Sequence, residues 1–188
     1  AVTLSNALTQ TAGSVATTFT GAVSVGSAAL TGTAFNLNNS FTSAGTTAFT
    51  NSGVLTKNAG TNIISTGAFS TTGDVNLAAN ITTTSTDLTI GGNLVIAQAA
   101  APTLSTGAGT AGNILVSGTT NGTAVGAVES LTVLAGTGNV TFTGAVGNAT
   151  DALELEALTI TSAATTLFSG AVTLSNALTQ TAGSVATT

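Results

Sequence analysis

The chain has 188 residues, 43% of them hydrophobic and only 4% charged, and it contains no His, Cys, Met, Trp or Tyr. Lys57 is its sole basic residue, and the acids are Asp74, Asp87, Glu129, Asp151, Glu154 and Glu156, for a formal net charge of −5. Ser-His-Asp and Cys-His nucleophiles, thiol chemistry, Cys-ligated zinc and a multi-cation phosphate clamp are excluded, and a single cation is too few to displace the counterions of a nucleic acid.

Apolar residues recur along the whole sequence, the pattern of a chain that folds. The longest apolar run, near 94–101, falls well short of the roughly 18–20 residues of a membrane helix, and the aromatic girdles of a membrane barrel are missing. Neither a transmembrane segment nor a porin is expected.

Residues 1–18 read AVTLSNALTQTAGSVATT and return without a substitution as residues 171–188. The simplest reading is a unit of 170 residues repeating head to tail, with 1–170 one unit and 171–188 the start of the next. A targeting segment would then lie far upstream.

Within the unit, apolar residues alternate with small or polar ones over three to five positions, the period of a strand. In chain order these runs are Val23-Ser-Val25, Phe35-Asn-Leu37, Val75-Asn-Leu77, Leu88-Thr-Ile90, Leu131-Thr-Val133, Val140-Thr-Phe142, Leu158-Thr-Ile160 and Val172-Thr-Leu174. Gly, Asn and Ser clusters such as 90–93 and 135–139 divide them and supply turn chemistry. One phrase returns almost unchanged at Phe19–Val23, Phe142–Val146 and Phe168–Val172. Landmarks spaced roughly 17 to 26 residues apart predict an all-β parallel β-helix, or β-solenoid, of about 20 residues per coil. A 170-residue unit would then make roughly eight or nine coils and advance about 40 Å at the strand spacing. The alternative is a string of antiparallel immunoglobulin-like sandwiches, disfavoured by the absent core Trp and by strands this short.

Several positions have a more local reading. In 153–160 the inward phase passes from Leu153 and Leu155 to Leu158 and Ile160, which predicts a bend or bulge near Glu156-Ala157. Pro102 belongs at a coil corner. Gly107 to Gly112 matches GxGxxG, with Glu129 downstream as a ribose-binding acid, but the strand-like Asn113-Ile-Leu-Val116 after it argues for a plain turn. Asp151, Glu154 and Glu156 are the only acidic cluster and the one weak candidate for a hard cation, with a solvated patch the expected state. Paired carboxylates for glycoside hydrolysis would lack a Trp or Tyr platform. Lys57, in Thr56-Lys-Asn-Ala-Gly60, reads as an exposed charge on a turn. Thr-x-Thr pairs at 9–11, 31–33, 84–86, 141–143 and 159–161 are too irregular for an ice-binding array and serve as β-favouring surface residues.

The phrases Leu131 to Val146, Leu158-Thr-Ile-Thr-Ser162 and Gly73-Asp-Val-Asn-Leu77 resemble the repeats of giant bacterial surface proteins of the filamentous-haemagglutinin and autotransporter-passenger kind. The resemblance implies a secreted, right-handed β-solenoid acting as an adhesin stalk or extracellular fibre, and it carries over no catalytic or ligand residue.

The expected function is a structural, self-assembling extracellular filament or surface-adhesin stalk, with no catalysis and no cofactor. Copies of the chain are its expected partners, head to tail and laterally, since a nearly uncharged surface offers little repulsion. A host or neighbouring cell surface could be reached through other parts of a parent protein. The alternative is a ligand-binding adhesin module presenting one solenoid face to a carbohydrate or to ice.

Overall fold

The computed structural model describes residues 1–109, 112–123, 128–148 and 153–183. Short alternating runs between Gly, Asn and Ser corners form strands of two to six residues, and no helix is present among the described residues. The strands lie in three sheets, and every pairing is parallel.

Sheet 1 stacks Val2–Thr3, Val23–Val25, Phe41–Ser43, Ile63–Ser65, Ile81–Thr83, Thr103–Ser105, Ser130–Leu134, Ala157–Ser162 and Leu178–Gln180. Sheet 2 stacks Ala7–Gln10, Ser27–Gly32, Thr47–Asn51, Phe69–Thr71, Leu88–Ile90, Ile114–Val116, Val140–Phe142 and Thr166–Phe168. Sheet 3 stacks Ala16–Phe19, Ala34–Leu37, Leu55–Lys57, Val75–Leu77, Leu94–Ile96 and Thr120–Asn121, and single parallel bridges continue it through Val146 and Val172. The chain visits sheets 1, 2 and 3 in strict rotation, which makes it a parallel β-solenoid. Antiparallel sandwiches are ruled out.

The inward positions are those the alternation predicts. Val23, Phe35, Leu37, Val75, Leu77, Leu88, Ile90, Leu131, Val133, Val140, Phe142, Leu158 and Ile160 are all buried. They stack on inward residues of neighbouring coils, as Val75 does on Leu55 and Leu94 on Val75. Apolar burial of this kind contributes about 25 cal/mol per Å² along a continuous column. Between Phe35 and Phe69 the column is aromatic: Phe49 lies 5.1 Å from Phe35, 5.5 Å from Phe41 and 6.1 Å from Phe69, ring centre to ring centre.

Coil size departs from a uniform value of about 20. The Asn36 amide bonds its register partner Thr18 across 18 residues of chain, and the Thr103 N–H reaches Asn80 across 23. From there the coils widen. The bonds from Asn113 to Asp87 and from Asn139 to Asn113 each span 26, and the step from Leu104 to its partner Val133 is longer still. The strands stay short, so the added residues sit in the corners.

Two corners are closed by glycine. Between sheets 2 and 3, Gly53, Gly73, Gly92, Gly118, Gly144 and Gly170 each fall two residues before the first inward residue of the next strand. A Cβ on Gly92 would come 2.5 Å from the Gly73 carbonyl carbon, and one on Gly118 would come 2.6 Å from the Asn93 nitrogen. Gly26, Gly45, Gly67, Gly112 and Gly138 form a like column between sheets 1 and 2, where a Cβ on Gly45 would meet the Gly26 carbonyl oxygen at 2.8 Å. The absence of a side chain lets successive coils approach within one strand spacing.

Beside the glycines run short polar ladders. Asp87 Oδ1 accepts the Asn113 backbone N–H at 2.8 Å, Asn113 Oδ1 accepts that of Asn139 at 3.0 Å, and the Thr165 hydroxyl donates to Asn139 Oδ1 at 2.7 Å. At the entry to sheet 3, Asp74 Oδ1 accepts from the Asn93 N–H at 2.7 Å and Asn93 Oδ1 from the Thr119 N–H at 2.9 Å. Corner amides that belong to no strand ladder are satisfied in this way.

A bend does fall at Glu156, with Leu155, Leu158 and Ile160 buried, but Leu153 is exposed rather than inward. The register irregularity lies further on, where Val133 pairs with Ile160 but Leu134 pairs with Ser162. Pro102 sits at the corner before Thr103–Ser105, and its carbonyl accepts the Thr132 N–H at 3.0 Å.

Candidate functional surface

The third corner, from sheet 3 to sheet 1, carries glycine among the described residues only at Gly21, Gly60, Gly122 and Gly147, and by sequence takes several long connections, at 58–62, 97–102, 122–129 and 147–156. Stacking of the coils sets the described parts of these segments along one edge. Five of the seven charged residues belong to this edge by sequence: Lys57, Glu129, Asp151, Glu154 and Glu156. The other two, Asp74 and Asp87, are committed to the corner ladders.

Lys57 is not an exposed charge. It takes the inward position stacked between Leu37 and Leu77 and is fully buried. Its Nζ turns toward the strand end to donate to the Asn58 carbonyl at 2.7 Å and to the Thr61 hydroxyl at 3.2 Å. Burial pushes its ammonium below the ordinary 10.5. The unfolded chain therefore binds the proton more tightly, so stability should rise with pH through the window ending near 10.5, and should be lowest where both states are protonated. With no Tyr, Cys or Arg in the sequence, the alkaline window is unusually free of other side-chain titrations. Lys57→Met is expected to raise stability at neutral pH by on the order of 1 kcal/mol and to flatten this rise. Urea unfolding at pH 7 and pH 10 checks both.

Glu129 is fully buried as well. Its Oε1 lies 3.4 Å from the Thr123 hydroxyl, and its Oε2 has no partner among the described residues. The carboxylate packs over Gly122, where a Cβ would come 2.8 Å from Oε2. Its backbone carbonyl accepts the Glu156 N–H at 2.7 Å. No dinucleotide geometry surrounds it among the described residues. Gly107 is a left-handed turn residue at φ 104°, the chain after Gly112 enters the strand Ile114–Val116, and Thr110 and Ala111 lie outside the described residues.

Of the acidic cluster, Asp151 lies outside the described residues, and Glu154 and Glu156 are half-buried on either side of the inward Leu155. Among the described residues, no three acids converge as a metal-binding group would.

Among the described residues, two of the troughs follow glycine-bearing corners. The larger, about 600 Å³, follows the corner between sheets 2 and 3 over four coils, past Thr11–Gly13, Thr31–Thr33, Thr50–Ser52 and Thr72–Gly73. Its lining is Thr, Ser, Asn, Gly and Ala, with no ring and no charge, and most of the surface it presents is apolar, from methyl groups and backbone carbon. The smaller, about 230 Å³, lies between sheets 1 and 2 beside Gly136, Ser162 and Gly183. Threonine forms one outward rank on sheet 1, at 103, 132, 159 and 179, but Ile64 and Leu134 interrupt the neighbouring positions.

Comparison with protein-family models, with characterised proteins and with solved structures returned no match. The class is set by the fold itself, a parallel β-solenoid of three sheets.

Proposed function

We propose that this chain is a length of a structural extracellular filament or adhesin stalk, built from 170-residue units joined head to tail and carrying out no catalysis. One observation carries the reading: the described part of the second copy, 171–183, continues the winding without a break, completing one coil on sheet 3 at Val172 and opening the next on sheet 1 at Leu178–Gln180. The Leu158 N–H donates to the Ala177 carbonyl at 3.0 Å and the Thr181 N–H to the Ile160 carbonyl at 3.0 Å, so the repeated segment extends the sheets already formed. A further unit would cover the ladder left at that end, which is how a repeat solenoid protects its edges. The rhythm shared with bacterial surface repeats supports secretion to a cell surface.

The test is to image the native assembly. A filament is expected with an axial spacing of about 4.8 Å and a rise of about 37 Å per unit; compact particles or an absent strand spacing would refute it. Antibody against the unit should label intact source cells, and labelling only after lysis would refute the extracellular placement.

The uncharged trough bordered by Thr31, Thr50, Asn51 and Ser52 favours a second reading, a carbohydrate-binding face, because sugar rings and hydroxyls suit a surface that mixes methyl groups with hydroxyl, amide and backbone partners. Titration with polysaccharides separates the two. Binding that is lost when Thr31→Val and Thr50→Val blunt the trough would favour the face, and no binding leaves the stalk.

A further inference from the structure

The same phrase, as far as its second copy is described (171–183), occupies two different faces of the solenoid. In its first copy, Val2–Thr3 lies on sheet 1 and Ala7–Gln10 on sheet 2. In its second, Val172 lies on sheet 3, bridged to Val146, and Leu178–Gln180 lies on sheet 1, paired with Ala157–Ser162. Both elements have moved back by one sheet, in the same sense. The local shape survives the move: the Gln10 side-chain nitrogen packs over Gly13, and that of Gln180 over Gly183. The corner phrase behaves alike, since Phe19–Val23 turns from sheet 3 to sheet 1, whereas Phe168–Val172 turns from sheet 2 to sheet 3.

We infer that successive 170-residue units are offset by about one-third of a turn about the solenoid axis, so that the unit repeat and the coil repeat coincide only every third unit. Val2 opens the first coil on sheet 1 and Val172 closes the eighth on sheet 3, an advance of seven and two-thirds coils. At about 4.8 Å per coil the unit rises about 37 Å, and three units complete 23 coils in about 110 Å. The offset is permitted because the phrase alternates small and apolar residues that suit any of the three sheets, and none of its residues is specific to one corner. The edge that carries the charged connections therefore recurs on each of the three sides in turn, and the filament presents equivalent lateral surfaces in three directions. The fibre geometry rests on the head-to-tail reading; the offset between the two copies does not.

The chain has no cysteine, so paired cysteines report register without background. Thr159→Cys with Thr179→Cys places thiols on register partners of sheet 1, and Thr9→Cys with Ala29→Cys does so on sheet 2. Adjacent strands put such positions within disulfide reach. Leu167→Cys with Thr179→Cys would close only if the second copy lay on sheet 2 like the first. Thr132→Cys with Thr159→Cys monitors sheet 1 itself. Mild oxidation should shift the first, second and fourth variants on a gel and leave the third unmoved. Closure of the third pair, failure of the second, or failure of the first while the fourth closes, overturns the offset; failure of the fourth overturns the sheet order beneath it. In images of the native filament a one-third turn should accompany each rise of about 37 Å. A rise without rotation overturns the screw, whereas no filament at all, with the cysteine pattern intact, defeats the proposed function and leaves the offset standing.

Discussion

Gly118→Val is expected to destabilise the chain by roughly 3 kcal/mol, read as a lowered urea midpoint. The position needs no unusual backbone angle; what it lacks is room. A Cβ there would meet the Asn93 nitrogen and the Gly92 carbonyl carbon, each at 2.6 Å, and both belong to the rigid backbone of the coil below. Relief requires the corner to lift, and lifting breaks the bond from the Thr119 N–H to Asn93 Oδ1 and the 3.0 Å bond from the Gly118 N–H to the Gly92 carbonyl. Gly109→Val is the control. It sits in a looser corner with nothing within 4 Å of the added carbon, and its cost should stay within about 0.5 kcal/mol. Equal losses at the two positions would contradict the account of glycine as a spacer between coils.

Phe49→Ala should cost about 3–5 kcal/mol. Phe49 is fully buried, and its ring is the one shared by Phe35, Phe41 and Phe69. Its removal leaves three rings facing a void that strands pinned in register cannot collapse to fill. Because each coil touches only its neighbours, the loss should also be local. Hydrogen exchange should accelerate most at Phe41–Ser43, Thr47–Asn51 and Phe69–Thr71 and least at Val140–Phe142. A uniform acceleration along the whole chain would show that the solenoid unfolds as one cooperative block. Leu167→Ala, at a side chain 42% exposed, should leave both the midpoint and the exchange pattern nearly unchanged.

The strands are legible in the sequence because each carries its own period: Leu88-Thr-Ile90 alternates whatever surrounds it. The parallel stacking is legible from spacing, and the corner at Pro102 from its missing donor. The assignment of strands to faces is not. Phe142–Val146 and Phe19–Val23 use one phrase for two different turns, so the code for a corner says that the chain bends without saying which way round the coil it has come. The inward place of Lys57 is hidden for an energetic reason. Alternation from Leu55 points it inward, but the cost of burying a charge argues for the surface, and only the carbonyl of Asn58 and the hydroxyl of Thr61 at the strand end remove the conflict. Inward Thr47, Thr120 and Thr166 escape notice because an apolar pattern does not register hydroxyls. The glycine columns become visible only once coil lengths are known, since Gly92 and Gly118 are neighbours in space with a whole coil of chain between them.

The unequal coils have a consequence for how such a protein measures distance. A coil adds one strand spacing to the axis whether it is the short circuit from Val23 to Phe41 or the long one from Leu104 to Val133. Gene length is therefore a poor ruler for the object it encodes. Lengthening a corner thickens the rod without extending it, so mass per unit length varies along the axis while the pitch stays constant.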